Sequence, residues 1–399
     1  MPRPRKTSAA QLAARTTGLG HWLVAAAAAR PQLSELHDAF CRELVARRLP
    51  IWRSTLGLEL LHPELSGAMM VWTAGETRIT RRERAGLETS PDYINSPTRI
   101  VDETDATFRR RLDKPAPEMP ILESLRGQGA TDYVMFPLPF QDRNRTAVLS
   151  FATTAKAGFT AADLTDLEMA TALLAPYAER VVLRRLAIDL LDTYVGHHAG
   201  ERIFAGRIER GKVETIEAAI WFCDMRGFTR FSDAAPRDVV VETLDAWFEC
   251  MAQAVEDHDG QVLKFMGDGM LAIFPLEYDV AETCDRAVDA AFKAPAAVKL
   301  LNGVRAKLGH PPIAFGLALH FGSVSYGNIG GKRRLDFTVI GPAVNHASRL
   351  QELTKRLGHP VLASRTLAAG TSRPLVSLGS HTLRDIAVPE EIFALALPA

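Results

Sequence analysis

The spacing of apolar residues changes along the chain and divides it into stretches of different architecture. Between residues 19 and 48, Leu33, Leu36, Phe40, Leu44 and Val45 recur near every 3.6 residues, which predicts a helical stretch with one buried face. Residues 1–17 carry Arg3, Arg5 and Lys6 without an apolar period and read as a disordered basic tail. Gly18, Gly20 and His21 separate those basic residues from Trp22-Leu23-Val24, which argues against an export signal. From Pro50 to Phe159 the period shortens to that of strands, expected at 56–61, 68–73, 133–139 and 146–153, with Pro115, Pro117, Pro120, Gly127 and Gly129 as punctuation. A separate α+β domain over 18–160 follows.

A helical period returns over 161–195. Leu167, Ala170, Leu174, Tyr177, Val181, Ile188, Leu191 and Val195 fall on three- and four-residue steps, broken only at Arg184. This spacing suits a coiled-coil seam between two chains. It equally suits packing on a domain of the same chain, because Leu173, Val182, Leu186 and Leu190 widen the face. Pro176 is expected to kink or restart the helix. Residues 161–212 thus read as a helical linker, ending in a polar, glycine-punctuated connector over 197–212.

Beyond it, over 213–399, strands and helices alternate: strand 217–223, helix 236–257, hairpin 261–274, helix 279–301, strand 313–321, a loop holding Gly327, Gly330 and Gly331, strand 335–340, helix 342–357, and strands near 375–379 and 391–397. Val240, Leu244, Trp247, Met251 and Val255 share one helix face, so the fold class expected here is α+β, a sheet covered by helices.

Composition changes this picture little. The 399 residues exceed one ordinary core, and 47% hydrophobic with 24% charged is the balance of a globular protein. Forty-seven basic and 47 acidic residues cancel, so no global field recruits nucleic acid or an anionic membrane. Cys41, Cys223, Cys250 and Cys284 form no CxxC pair and read as free thiols in a reducing, cytoplasmic setting. No apolar run reaches the ~20 residues of a membrane span.

The candidate chemistry lies in three stretches. In AAIWFCDMRGFT (218–229) an apolar strand pattern ends at Asp224, and Gly227 precedes a helix. In VLKFMGDGMLAIF (262–274) two apolar runs flank a turn that carries Asp268. Two carboxylates at strand ends, one beside a glycine-containing loop, suit an oxygen-ligated Mg²⁺ or Mn²⁺ pair holding a polyphosphate; singly, each also reads as a cap or turn aspartate. In GGKRRLDFTVIGPAVNHASRL (330–350), Gly341-Pro342 turns a strand into a helix on which Asn345 and Arg349, four apart, share a face. An amide beside a guanidinium can hydrogen-bond a ribose and offset charge on a phosphate, or be a solvated face.

FCDMRGFT, KFMGDGMLAIF and FTVIGPAVNHASRL, in this order, resemble the catalytic domain of class III nucleotidyl cyclases from about residue 216 to 397. The resemblance implies a ferredoxin-like, palm-type α+β domain that cyclises a nucleoside triphosphate with two divalent ions. It implies that Asp224 and Asp268 hold the metals, that Lys264 and Thr338 read the base, that Asn345 orients the ribose and that Arg349 stabilises the transition state. Arg333 and Arg384 match triphosphate contacts, and Phe222, Cys223 and the segment Met225, Arg226, Gly227 and Phe228 match the phosphate loop. Lys264, where guanylyl cyclases are expected to carry Glu, points to ATP as substrate, although Thr338 stands where many members have Asp. The family also implies a homodimer with each site shared between protomers, and leaves His346 outward-facing or packing. The element order of 18–160, closing with VLSFATTAKAGFTAADLTDLE, is similar to the GAF type of sensor domain, implying regulation by a small-molecule or protein signal.

The rivals are a guanylyl cyclase, opposed by Lys264; a silent nucleotide-sensing or dimerising module, which would be expected to have lost Asp224, Asp268, Asn345 or Arg349; and a diguanylate cyclase, whose GG[DE]EF signature is not supplied by Gly267-Asp268-Gly269.

Overall fold

The computed structural model describes residues 9–30, 32–59, 65–73, 76–83, 89–141, 147–386 and 388–396. The chain divides between Leu190 and Leu191 into two compact units. The first opens with two helices where the periodicity predicted one stretch, α1 (Ala9–Ala29) and α2 (Leu33–Ala46). Helix therefore begins inside the expected tail, at Ala9, and residues 1–8 lie outside the described residues.

Three strands follow, β1 (Arg53–Glu59), β2 (Leu65–Thr73) and β3 (Glu76–Glu83), then α3 (Pro91–Ile94), α4 (Pro97–Thr104), β4 (Phe108–Arg111), α5 (Pro120–Gly127), β5 (Asp132–Pro137), β6 (Ala147–Thr153) and the long α6 (Ala161–Val195). The strands pair antiparallel in the order β3-β2-β1-β6-β5-β4. Period-two alternation gives this sheet two faces. Leu56, Val134, Phe136, Leu149 and Phe151 pack with Leu23 of α1, Phe40 of α2 and Leu167 and Leu174 of α6. Tyr133, Met135, Val148 and Ala152 face Val101 of α4 and Leu122 and Leu125 of α5.

Trp72 is buried in the first of these cores with its indole N–H donating to Asp38 Oδ1 at 3.0 Å. Trp52 packs against the second core, and His62 lies outside the described residues. Helix α6 runs unbroken through Pro176, because the carbonyl left without a partner is offset by packing of Leu174, Ala175 and Ala178 on both sides of the proline. One face of it, with Leu167, Ala170, Leu174, Ala175, Ala178 and Val182, is buried within this unit, whereas Leu183, Leu190 and Tyr194 are exposed.

The second unit starts at α7 (His197–Phe204), a helix where the sequence predicted only a connector; Ala199 anchors it in a core. Then come β7 (Val213–Met225), α8 (Phe228–Ala234), α9 (Arg237–Glu256), β8 (Gln261–Met266), β9 (Gly269–Pro275), α10 (Val280–Lys307), β10 (Phe315–Gly330), β11 (Leu335–Ile340), α11 (Pro342–Leu357), β12 (Val361–Ser364), α12 (Arg365–Gly370), β13 (Leu375–His381) and β14 (Glu390–Leu395). The sheet order is β13-β14-β12-β10-β7-β9-β8, with β11 paired to β10. All these pairings are antiparallel except β10 with β12.

On β7, Ala219, Trp221, Cys223 and Met225 face a core shared with Trp247 and Met251 of α9 and Ala287 and Ala291 of α10. Ala218, Ile220 and Phe222 face the opposite side, with Ala343 and Ala347 of α11. The glycine-rich stretch predicted as a loop is the far end of β10. A Cβ on Gly327, at φ 154°, would overlap the carbonyl of Lys212, so glycine lets the chain entering β7 lie alongside. No helix among the described residues is long and apolar enough to cross a membrane.

His37 of α2 is fully buried, its Nε2 3.0 Å from Ser54 Oγ of β1. Burial pulls its pKa down to about 4, against a weaker upward pull from Asp38. A histidine held neutral in the fold gains its proton more readily unfolded, so stability is lost as pH falls from about 6.5 towards 4, by roughly 3 kcal/mol at the lower end. Urea denaturation of the N-terminal unit's transition across this range is expected to show that acid limb, and His37→Leu to flatten it.

Candidate active site

Asp224 closes β7 opposite Gly269 of β9 and Gly316 of β10, on the same side of the strand as Ile220 and Phe222. Neither neighbour has a side chain to crowd the carboxylate. The β8–β9 turn passes through Gly267 at φ 65° and presents Asp268 beside it. The Asp268 peptide is clamped: its carbonyl accepts the Trp247 indole N–H at 3.1 Å and the Met225 N–H at 3.4 Å.

The two carboxyl groups meet. Burial, then hydrogen-bonding and charge contact with Asp268, push the Asp224 pKa up to about 7, while Lys355 of α11 pulls it down. Asp224 Oδ1 is buried with no hydrogen-bond partner. An orphaned carboxylate oxygen facing a second carboxylate is a pair that could hold a divalent cation, although no group of three or more His, Cys, Asp or Glu side chains stands together among the described residues.

The segment after Asp224 is less open than its sequence suggests. Phe222 and Cys223 are paired into the sheet on both sides, and the Cys223 thiol lies in the core, its pKa pushed up to about 12 by burial. The N–H groups of Met225 and Arg226 donate to Asp268 and to Ala314 (2.7 Å), so neither is available to a phosphate. The Arg226 guanidinium instead donates to the carbonyls of Thr354 (2.9 Å) and His359 (3.1 Å) at the end of α11. In this structure the four residues make contacts within the scaffold. Gly227, left-handed at φ 74°, and Phe228, which opens α8, are the remaining members of the predicted loop.

Helix α11 carries Asn345, exposed in its first turns, and Arg349, one-third exposed and 3.7 Å from Asp385. Arg384 is mostly exposed and lies 3.6 Å from the same Asp385. His346 points inward, its ring stacked on His320 (centroids 4.1 Å apart) and its Nε2 2.5 Å from Glu390 Oε1. Thr338 of β11 is buried, and its hydroxyl has no hydrogen-bond partner. Lys264 lies on β8 opposite Leu271, and Arg333 is exposed in the β10–β11 turn.

These residues do not converge within one chain. Asp224 is opposite Gly316 and Thr338 opposite Gly327, eleven residues apart on β10, or about 35 Å along the strand. On α11, Asn345 stands ten residues from Lys355, the neighbour of Asp224, or about 15 Å. The acidic pair lies far from Thr338 and Asn345, whereas Lys264, opposite Leu271 and two residues along β9 from Gly269, lies on the acidic side.

Residues 212–366 match the family described as adenylate and guanylate cyclase catalytic domain. The C-terminal unit carries a class III cyclase catalytic domain. An adenylate cyclase of Anabaena cylindrica is 36% identical over 171 residues, covering 42% of this chain and 33% of that protein. An uncharacterised protein of Mycobacterium tuberculosis is 35% identical over 212 residues, 51% of this chain and 36% of its own. The matched stretch thus spans about a third of each of these relatives. Among solved structures, a guanylyl cyclase shares 26% identity with a TM-score of 0.43 over 47% of this chain and 95% of its own. A bacterial light-regulated adenylyl cyclase shares 22% with a TM-score of 0.47, over 56% of this chain and 65% of its own.

Sequence reasoning missed two participants in the cyclase domain, Lys355 and Asp385, and expected a different contact for a third, Arg226. Lys355 tempers the charge of Asp224, Asp385 holds Arg349, and Arg226 ties the acidic end of β7 to the end of α11. Each contact joins residues far apart in the chain, and only Arg226, inside a motif, had a local signal. Arg226→Met removes two charge-assisted hydrogen bonds and is expected to destabilise the C-terminal unit by about 2 kcal/mol, read as a lower urea midpoint at unchanged m-value.

Proposed function

We propose that this protein converts ATP to 3′,5′-cyclic AMP and pyrophosphate at two equivalent sites of a homodimer, each built from both copies, under the influence of its N-terminal unit. The observation that carries the reading is the pair Asp224 and Asp268, pressed together with a buried oxygen left unpartnered. Two carboxylates without further protein donors fit Mg²⁺ or Mn²⁺, which take one or two carboxylates and complete their shell with substrate phosphates and water. Two such ions, when bound, supply acidification of the ribose 3′-hydroxyl and neutralisation of charge at the α-phosphate.

The chain's own groups do the rest. Asp224 and Asp268 fix the triphosphate end, with the Gly227–Phe228 backbone beside it. From the second copy, Asn345 offers its exposed amide to the ribose, and Arg349 brings a guanidinium to the phosphate as the O3′–Pα bond forms and the Pα–O–Pβ bond breaks. The 3′-hydroxyl loses its proton in that step, and pyrophosphate takes the electron pair. Arg349 is free to do this because a partly exposed pair with Asp385 holds it weakly. Lys264 and the unpartnered hydroxyl of Thr338 are the base-reading pair and favour adenine by the pattern of the family. Arg333 and Arg384, both exposed, are further contacts for the triphosphate.

The separation of the acidic pair from Thr338 and Asn345 supports the shared site, since one nucleotide cannot bridge about 35 Å of strand. A second copy in two-fold relation would bring one end of each chain against the other end of its twin.

With Mn²⁺ or Mg²⁺, purified protein is expected to form cyclic AMP from ATP in clear preference to cyclic GMP from GTP; the reverse preference would overturn the base assignment. Asp224→Ala or Asp268→Ala should lower turnover by about a thousandfold, and Arg349→Ala by about a hundredfold. Mixing Asp224→Ala with Arg349→Ala protein should restore up to about a quarter of wild-type activity, because randomly exchanged heterodimers hold one intact site in two. Confirmed heterodimers without recovery would refute the shared site.

A further inference from the structure

The sheet of the N-terminal unit has an unfilled face. On β1 the sequence Arg53-Ser54-Thr55-Leu56-Gly57-Leu58-Glu59 sends Ser54 and Leu56 into the α1–α2–α6 core. The other face receives Arg53, Thr55, Gly57 and Glu59. Small residues continue there on the neighbouring strands, at Gly67 of β2 and at Ser150 and Ala152 of β6. Helices α3, α4 and α5 cover this face without filling it. A cavity of about 860 Å³ remains, within the range that holds a drug-sized molecule.

Its lining is apolar along Met69, Ile121, Met135 and Val148 and polar at one end, where Arg53 lies close to Tyr133 and Tyr133 to Ser150. Arg53 is half-buried and is the one cation in the described lining, and among the described residues no ion pair is formed by it. Burial holds its pKa below the ordinary arginine value. The acidic residues of the lining are placed elsewhere: Glu59 is six residues along β1, about 20 Å away, Asp102 accepts the Tyr93 hydroxyl at 3.1 Å, and Asp92 is exposed on α3. A guanidinium kept from water with no counter-ion is unfavourable in a fold unless something else supplies the negative charge.

We propose that this cavity binds a small organic acid, its carboxylate held by Arg53, Tyr133 and Ser150 and its apolar body lying along Met69, Met135 and Val148. The planar fork of Arg53 suits a carboxylate, and the Tyr133 hydroxyl, its pKa pushed up to about 12 by burial, stays a donor at neutral pH. With one cation in its described lining and Glu59, Asp92 and Asp102 adding negative charge, the cavity does not suit a polyphosphate, so the substrate of the C-terminal unit is not its occupant.

Calorimetric titration of the full chain with indole-3-acetate, 2-naphthoate and decanoate, each set against its primary amide, tests this without any turnover measurement. At least one acid is expected to bind about ten- to a hundredfold more tightly than its amide, the difference a charged hydrogen-bonded contact makes. Arg53→Met should erase that preference, and Arg53→Lys should keep part of it. Equal binding of acid and amide, no binding by any acid at millimolar concentration, or an acid preference that survives Arg53→Met would each overturn the assignment. The acid-to-amide comparison on the unaltered protein decides even if a variant fails to fold.

Discussion

The contact between Asp224 and Asp268 is the constraint on which the C-terminal unit depends. Burial, and after it the contact with Asp268, raises the Asp224 pKa, and the backbone around the pair holds the two groups in that contact. β7 is paired on both sides at Asp224, and the Asp268 carbonyl is fixed by the Trp247 indole and the Met225 N–H. Gly316, opposite Asp224, extends the constraint into the next layer, since a Cβ there would overlap Thr354 Oγ1. Glycine on β10 thus lets α11 approach, and Arg226 closes the same contact from β7. The helix that carries Asn345 and Arg349 is therefore positioned from the acidic end.

Long elements then act as rulers. β10 pairs with β7 along its whole course and with β11 along its far half, so the positions of Asp224 and Thr338 are set by register on one rigid strand. α11 performs the same task for Lys355 and Asn345. On the proposed shared-site reading, half-sites held apart on a stiff scaffold would meet through a second copy, and the geometry of that meeting would decide how well they close. A catalytic unit of this kind is open to regulation by anything that biases the approach of two copies, without a change inside either one.

What the sequence revealed follows from how local each signal was. Helix 342–357 was predicted with the bounds it has, because Gly341-Pro342 starts it and Gly358 in the left-handed region stops it, both within the chain's immediate neighbourhood. The end of the apolar run at Asp224 and the turn at Gly267 were equally local. The far half of β10 was hidden by Gly327 and Gly330, whose value lies in close approach to other backbone rather than in turn formation. β3, Glu-Thr-Arg-Ile-Thr-Arg-Arg-Glu, escaped notice because an edge strand exposed to water carries charge where a central strand carries valine or leucine. The heptad-like steps over 161–195 were correct as a helix and silent about its partner, which for Leu167 to Val182 is the unit's own core. Arg226 was assigned by its place in a motif, and only the tertiary fold brings the carbonyls of α11 to it.

The two units are alike in one electrostatic respect that overall charge conceals. The chain is neutral, with 47 charges of each sign, yet the N-terminal unit withholds a counter-ion from Arg53 and the C-terminal unit presses two carboxylates together. Ordinary folding pressure removes such features, because replacing either by an apolar residue would relieve desolvation or repulsion. Their retention at places with room beside them, a cavity in one case and the exposed mouth of a strand pair in the other, makes functional sense only if the missing charge arrives from outside the chain. On that argument each unit is least stable alone and gains from what it binds, the first from an anion and the second from cations with their phosphates.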